Sequence, residues 1–255
     1  MKPSDFSKQN HHKPSEPFPI RPVLIYTCPA LAYAAIGLIQ WQVPLSALAA
    51  WTAAALTIGF LLMKIQSHIR HEIRVNIDLT AVMAGILVFM IWVGLDGYYP
   101  LNPLIPHISA VTGPDIHPPS WELVGVRLFT SAVILPVMTE LFWRSFALRF
   151  LINSRFNTIP LGSFSWISFL AVNMLYGVCH ERWLPGIIAG AIYSILLYQR
   201  KNLFSPILAN GTTQALLGIY TVSTGSWTLW SDFWSSLVIF FGETVFIPST
   251  ITWWT

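Results

Sequence analysis

The chain has 255 residues, of which 54% are hydrophobic, 14% aromatic and only 10% charged, and its net charge is +3. Soluble domains carry roughly 25% charged residues, so this composition excludes a soluble enzyme, a disordered chain and a nucleic-acid-binding protein. Its 12 Trp and 16 Phe are typical of an integral membrane protein, because aromatic rings favour the bilayer interface. The length predicts one bundle embedded in the lipid bilayer.

The N-terminal segment 1–21 differs from the rest of the chain in being polar, with three Lys and several Pro. It lacks the short apolar stretch and small-residue cleavage site of a signal peptide, so it is predicted to be a cytoplasmic tail. Residues 22–255 are predicted to form a single transmembrane domain. Cys28 and Cys179 lie in or beside apolar segments and suggest neither a disulfide framework nor a metal site.

Apolar segments then follow one another along the chain. A membrane-spanning helix needs about 20 mostly apolar residues, and the sequence offers eight candidates, two of them short. The predicted fold is therefore an all-α bundle of about eight transmembrane helices. The candidate spans are 22–40, 44–63, 79–95, 124–147, 161–178, 185–198, 204–222 and 233–247.

The loop charges predict the orientation of this bundle. Lys and Arg collect in cytoplasmic loops, and here they alternate from loop to loop. The outer stretches 97–120 and 223–232 carry none, and Arg182, beside Glu181, is the exception. Both chain ends are predicted to lie in the cytoplasm. The cations assigned to the inner loops are Lys64, Arg70, Arg74, Arg149, Arg155, Arg200 and Lys201.

The sixth span carries small residues at four-residue spacing. Gly186, Gly190 and Ser194 lie on one face of a helix, which predicts close packing against a neighbouring helix rather than any chemistry.

Three spans contain polar side chains four residues apart, on one face of a helix. Glu140 precedes Arg144, Tyr176 precedes His180, and Asn210 precedes Gln214. Polar groups inside a membrane are costly and indicate function by default. A carboxylate, an imidazole and two amides are groups that activate a water molecule and stabilise an oxyanion.

This ordered set resembles the CAAX protease and bacteriocin-processing family of intramembrane proteases. That family has EExxxR, FxxxH and HxxxN on successive core helices, where this chain has Thr139-Glu140-x-x-x-Arg144, Tyr176-x-x-x-His180 and Asn210-x-x-x-Gln214. The segments ELFWR and WVGLDGYYP also look like the subgroup associated with bacterial exosortase sorting systems. The resemblance places the family core at about residues 121–222, and implies a bacterial cytoplasmic (inner) membrane protein.

The resemblance also implies roles for the site residues. Glu140 would be the base for a water molecule, and Arg144 would fix Glu140. His180 would orient the water, while Asn210 and Gln214 would stabilise the oxyanion. Two departures weaken this expectation. Thr139 stands where the family has its first glutamate, and Asn210 stands where it has a second histidine. A carboxylate held by an arginine is a poorer proton acceptor, so we expect weak or absent activity.

Each pair also has a purely structural interpretation. Glu140 and Arg144 could serve simply to neutralise one another, and His180 could be an ordinary interface residue. Asn210 and Gln214 could serve simply to link helices by hydrogen bonds. The depth of His180 is open as well, because a fifth helix beginning near Leu161 would place it at the outer face. Either that helix begins near Trp166, or His180 lies outside the site.

Three functions therefore stay open. The first is an intramembrane endopeptidase acting on the tail of a membrane-anchored or exported protein. The second is an inactive relative that binds or presents a substrate, with exosortase-system partners, and the third is a small-molecule transporter. No cofactor is expected, and one His with one Glu supplies too few ligands for a catalytic zinc site.

Overall fold

The computed structural model describes residues 20–43, 45–103 and 120–230. These residues form seven helices and two 3₁₀ turns, with no strand among them, which confirms the all-α prediction. Helices α1, α2 and α4 are long and apolar enough to cross a membrane. The helices are α1 (Ile20–Gln42), α2 (Ala47–Ile69), α3 (Leu79–Gly94), α4 (Trp121–Phe150), α5 (Trp166–Val178), α6 (Trp183–Arg200) and α7 (Phe204–Thr224).

The observed helix ends lie within three residues of the predicted spans except in two places. Helix α2 extends six residues beyond the predicted end at Met63, since an amphipathic stretch can continue a helix past its apolar part. Helix α5 begins at Trp166 and not near Leu161, because residues 151–165 form turns on the way. The predicted eighth span, 233–247, and nearly all of the predicted tail lie outside the described residues.

Short polar side chains set the helix starts. Ser46, Asp78 and Ser120 each accept a hydrogen bond from a backbone N–H of the following first turn, which satisfies one of the unpaired donors of a helix start. Two helix ends are formed by residues in the left-handed conformation, Lys201 after α6 and Gly225 after α7. Glycine is the usual residue for such an end, so the lysine is unusual.

Helix α4 is irregular at two places along its length. Residues Thr130–Ile134 and Leu141–Ala147 are π-helical, and Pro136 lies between them. Proline lacks the N–H that would continue the helical ladder, and π segments inside α-helices occur mostly at functional sites. Glu140 is the last residue before the second π segment and Arg144 lies within it.

Glycines allow α7 to pass very close to α3 and α4. A Cβ added to Gly211 would lie only 2.7 Å from the carbonyl oxygen of Ala132 in α4. On the other side, Thr213 donates a hydrogen bond of 2.9 Å to the carbonyl oxygen of Gly85 in α3. These contacts fix the depth and rotation of α7, and therefore the position of Asn210.

The predicted packing face of α6 is confirmed, and its partner is α5. A Cβ on Gly186 would lie 3.0 Å from the Cα of Gly177, and one on Gly190 would lie 2.9 Å from Oδ1 of Asn173. Ser194 donates a hydrogen bond of 3.0 Å to the same Asn173 oxygen. Small residues thus allow the two helices to approach closely, as membrane helices do.

Apolar and polar side chains are distributed in the reverse of a soluble protein. Large apolar side chains such as Leu56, Met63 and Ile167 are exposed, with 63–77% of their surface accessible. Glu140 and Arg144 are fully buried. An apolar exterior around a polar interior indicates an integral membrane protein.

Arg182, the exception in the loop charges, is a buried structural residue. Its Nε lies 2.7 Å from Oδ1 of Asp96, and its Nη1 donates a hydrogen bond to the carbonyl oxygen of Thr228. The guanidinium therefore holds together the loop after α3, the start of α6 and the segment after α7, instead of acting as a free loop charge.

Candidate active site

The centre of the candidate site is an ion pair within α4. Glu140 and Arg144 are both fully buried, and Oε2 of Glu140 lies 3.1 Å from Nε of Arg144. The pairing predicted from their four-residue spacing is therefore present. The geometry is not that of an aligned hydrogen bond, and Oε2 accepts no hydrogen bond from the described residues. A buried acceptor that is left incompletely satisfied requires an explanation, and one such explanation is chemistry.

Asn210 brings α7 into this site. Its Nδ2 donates a hydrogen bond of 2.8 Å to Oε1 of Glu140 and another of 3.1 Å to Oγ1 of Thr139. An amide nitrogen has two hydrogens, so both donors of Asn210 are in use. As placed here, Asn210 holds the Glu140 carboxylate, and it would have to leave Thr139 before it could donate to an oxyanion.

Thr139 directly precedes Glu140, and its hydroxyl is bonded back to its own helix. Oγ1 donates to the carbonyl oxygen of Leu135 at 2.9 Å, with that of Pro136 at 3.3 Å. Such back-bonding is the usual state of a threonine inside a helix. The hydroxyl hydrogen is thus used locally, while the oxygen accepts from Asn210.

Arg144 connects the pair to α5 and α6. Its Nη2 donates a hydrogen bond of 3.1 Å to the carbonyl oxygen of Gly190. Its guanidinium carbon lies 4.4 Å from the centre of the Tyr176 ring and 5.4 Å from that of Tyr193. A cation over two aromatic faces is stabilised by their quadrupoles, and the stabilisation increases when water is excluded.

His180 belongs to the same connected group of side chains, one residue past the C-cap of α5. Its ring centre is 4.7 Å from that of Tyr176, which in turn lies over Arg144. Trp92 of α3 packs edge-on to the imidazole at 5.5 Å. A chain of contacts therefore leads from Glu140 through Arg144 and Tyr176 to His180. Because α5 begins at Trp166 and not near Leu161, the length of this helix does not place His180 far from Glu140.

The tautomer of His180 follows from its backbone contact. Nδ1 lies 2.6 Å from the carbonyl oxygen of Tyr176, and a carbonyl can only accept, so Nδ1 carries a hydrogen. In the neutral imidazole, Nε2 is then an acceptor. The amide of Asn102 donates to the carbonyl oxygens of Val178 and His180 and fixes this turn from outside.

Gln214 lies one turn beyond Asn210 on α7 and is half-buried. Its side chain makes no hydrogen bond to another of the described residues. Its neighbour Thr213 is the residue that packs inward, hydrogen-bonded to the Tyr193 hydroxyl at 2.8 Å. The structure thus brings Glu140, Arg144, Thr139 and Asn210 into direct contact, His180 into indirect contact, and leaves Gln214 at the margin.

A second buried polar cluster lies near the C-terminal end of α4, where the sequence predicted only loop charges. Glu72, just after α2, accepts hydrogen bonds from Tyr26 at 2.9 Å and from Ser145, and lies 2.7 Å from Nη2 of Arg149. Arg149 also donates to Ser145. No spacing in the sequence indicates this cluster, because Glu72 and Arg149 are 77 residues apart.

No three His, Cys, Asp or Glu side chains among residues 20–43, 45–103 and 120–230 are close enough to hold a metal ion together.

Comparison with known protein families finds a match in the helices that carry the candidate site. Neither a curated protein nor a solved structure matches the chain. Residues 121–216, from the start of α4 to the third quarter of α7, match the family model of the type II CAAX prenyl endopeptidases that are Rce1-like. The helices that hold Glu140, Arg144, His180 and Asn210 are therefore similar to an intramembrane endopeptidase of the Rce1-like type.

Proposed function

We propose that this chain is an intramembrane endopeptidase of the CAAX-protease type, with low activity, that cleaves the tail of a membrane-anchored or exported protein. The observation that supports it most is the Glu140 carboxylate. One of its oxygens is held by Asn210, and the other accepts no hydrogen bond from the described residues. The family match to residues 121–216 supports the same reaction class.

In the proposed reaction Oε2 of Glu140 takes a proton from a water molecule while the water oxygen attacks the scissile carbonyl carbon. Nε2 of His180 accepts a hydrogen bond from the other O–H of that water, which fixes the orientation of the water molecule. The proton on Glu140 then passes to the leaving nitrogen as the C–N bond breaks, and the carboxylate is restored. General-base catalysis of this kind contributes typically 10²–10⁴ in rate.

The oxyanion requires donors that the structure has not already used. Both hydrogens of Asn210 are engaged with Glu140 and Thr139, so we assign Asn210 to positioning and Gln214 to the oxyanion. Gln214 extends from the same helix face one turn further on. Transfer of the Asn210–Thr139 hydrogen bond to the oxyanion would add a second donor during the reaction.

Low activity follows from the two neighbours of Glu140. The Arg144 guanidinium stabilises the carboxylate in its charged form, and taking up a proton weakens that buried pair. A second carboxylate could take up the proton without weakening that ion pair, but Thr139 supplies only a hydroxyl that is bonded back to Leu135.

The experiment compares purified full-length wild type with Thr139→Glu, Glu140→Ala and Glu140→Gln in proteoliposomes. The substrates are a library of peptide tails, each fused to one membrane helix and carrying a fluorophore. We expect slow cleavage by wild type, no cleavage by either Glu140 variant and faster cleavage by Thr139→Glu. Glu122→Gln is the matched control, because Glu122 is an exposed carboxylate on the same helix.

Two results would contradict parts of this proposal. Robust wild-type cleavage that Glu140→Ala abolishes would show that the paired carboxylate suffices and that the activity is not low. Substrate binding without cleavage, by wild type and by Thr139→Glu, would replace the endopeptidase by an inactive substrate-binding protein. The enclosed state of Glu140, with Arg144 and Asn210 both in contact, is the observation that favours that second function.

We further propose that the substrates belong to an exosortase-type sorting system in a bacterial inner membrane, on the basis of the segments ELFWR and WVGLDGYYP. The Lys and Arg distribution supports both chain ends in the cytoplasm. Reporter fusions in the tail 1–21 and in the loop 151–160 should both report a cytoplasmic location. A reporter signal from the outer side at either position would contradict this orientation.

A further inference from the structure

An open pocket of about 510 Å³ lies at the end of the bundle where the loops after α2, α4 and α6 meet. This volume is within the range of small-ligand sites, roughly 300–1,000 Å³. Most of the charged side chains around it are basic. The lining residues are His71, Glu72, Arg74, Arg149, Asn157, Thr158, Ile159, Pro160, Leu161, Arg200 and Lys201.

The charges around this pocket do not cancel. Glu72 is neutralised by Arg149 at 2.7 Å, and Arg200 is neutralised by Asp78 at 2.6 Å. Arg74 and Lys201 are exposed, and neither side chain has an ion-pair or hydrogen-bond partner among the residues that the structure describes. Two cations are therefore left for a ligand.

Hydrogen bonds to backbone atoms hold the walls of the pocket in place. The side-chain amide of Asn202 accepts a hydrogen bond from the Arg74 N–H at 2.9 Å and donates one to the Arg74 carbonyl oxygen at 2.7 Å. The N–H of Leu203 donates to the carbonyl oxygen of Glu72 at 2.9 Å. These bonds join the loop after α2 to the loop after α6, so Arg74 and Lys201 are presented from one preformed surface.

Lys201 occupies a backbone conformation that suits glycine or asparagine better than lysine. Its φ is +47°, and its N–H ends α6 by donating to the carbonyl oxygen of Leu197 at 2.7 Å. A strained residue of this kind points to a functional reason for its side chain. The strain and the unpaired charge are separate observations on the same residue.

The pocket also lies beside surface suited to lipid. Val75 and Ile77, next to Arg74 in the chain, have 78% and 86% of their surface exposed. Basic pockets at the membrane ends of helices bind the phosphates of anionic lipid head groups. Arginine and lysine side by side also suit free phosphate.

We propose that this pocket is a binding site for a phosphate group, carried by an anionic phospholipid or free in solution, and that Arg74 and Lys201 are its ligands. The site is separate from Glu140 and does not depend on the reaction proposed above. A bound phosphate would link the loops after α2 and α6 and stabilise the folded protein.

The test measures thermal unfolding of the purified full-length protein in detergent micelles containing phosphatidylcholine. Three additions are compared at equal ionic strength: phosphatidylglycerol, potassium phosphate, and a short peptide with a free C-terminal carboxylate. The variants are wild type, the double variant Arg74→Gln/Lys201→Asn, and Arg70→Gln. Arg70 is the matched control, since it is a basic residue at the end of α2 that does not line the pocket.

The double variant should fold, because Gln keeps the backbone bonds at position 74 and Asn adopts the left-handed conformation more easily than Lys. At about 100 times its Kd, phosphatidylglycerol should raise the Tm of wild type and of Arg70→Gln by roughly 5 °C or more. The Tm of the double variant should not change. The same pattern with potassium phosphate alone would identify free phosphate as the source.

Three outcomes would overturn the proposal. One is no Tm shift with either phosphate source in wild type, and another is an undiminished shift in the double variant. The third is a shift that requires Arg74 and Lys201 but is produced only by the peptide carboxylate, which would make the pocket a site for protein tails.

Discussion

Two buried ion pairs, each with its arginine on α4, differ in how completely they are satisfied. Glu72 and Arg149 form a closed cluster, in which Tyr26 donates to one carboxylate oxygen, Ser145 donates to the other, and Arg149 adds its charge. In the Glu140–Arg144 pair, one carboxylate oxygen is held by Asn210 and the other faces Nε of Arg144 without an aligned hydrogen bond. A fully satisfied buried network makes the core rigid. An unsatisfied buried polar atom requires an explanation, and a catalytic role is one of them. The contrast predicts that variants of the first pair act on stability, and variants of the second on activity.

The largest expected effect is that of Glu72→Ala. It leaves Arg149 buried without its counter-ion and costs about 3–5 kcal/mol of unfolding free energy. Unfolding in mixed micelles with increasing SDS would measure it, with Glu122→Gln as the exposed control. The activity that remains should follow the folded fraction alone. A loss below about 1 kcal/mol would show that the cluster is not a structural element.

The next effect is that of Asn210→Ala, which removes the donor to Glu140 and Thr139. An unsatisfied buried acceptor costs about 1–3 kcal/mol, so the protein should be destabilised less than by Glu72→Ala. Activity should decrease more than the folded fraction, because the carboxylate loses its orientation. The ratio of the cleavage rate to the folded fraction, compared with wild type, is the measurement. An unchanged ratio would show that Asn210 has no part in the reaction.

A smaller effect is expected for Tyr26→Phe. The change deletes the hydroxyl that donates to Glu72 and keeps the ring, which packs edge-on against Phe156 at 5.2 Å. A hydrogen bond to a charged group contributes about 1.5 kcal/mol at the lower end of its range. The same SDS titration should show a loss of this size, and the cleavage rate per folded molecule should not change.

The smallest effect is expected for Thr139→Val. Valine has the shape of threonine, and the lost hydroxyl donates only to its own helix. One N–H of Asn210 loses its acceptor, so stability should decrease by about 1 kcal/mol, the lower end of the range for an unsatisfied buried donor. Asn210 then keeps only Glu140 as its partner, and cleavage should not decrease. A marked loss of cleavage at unchanged stability would show that the Thr139 hydroxyl acts in the reaction.

Close-range patterns in the sequence predicted the parts of the site that lie on one helix. The four-residue spacing of Glu140 and Arg144 predicted their pairing, and the small residues of α6 predicted its packing against α5. Loop charge did not predict Arg182, because its partner Asp96 is 86 residues away. Glu72 and Arg149 were missed for the same reason, and Arg149 was assigned to a loop although it is buried.

The sequence by itself determined an apolar, all-α, membrane-embedded chain and a set of polar groups that are costly inside a membrane. Helical period and composition suffice for this, since both are local properties. Only the tertiary structure decided which groups meet. Gly85 and Gly211 let α7 approach α3 and α4 closely, and this approach places Asn210 against Glu140. The partly satisfied Glu140 carboxylate and the basic pocket between three loops arise from such long-range contacts, which residue spacing does not encode.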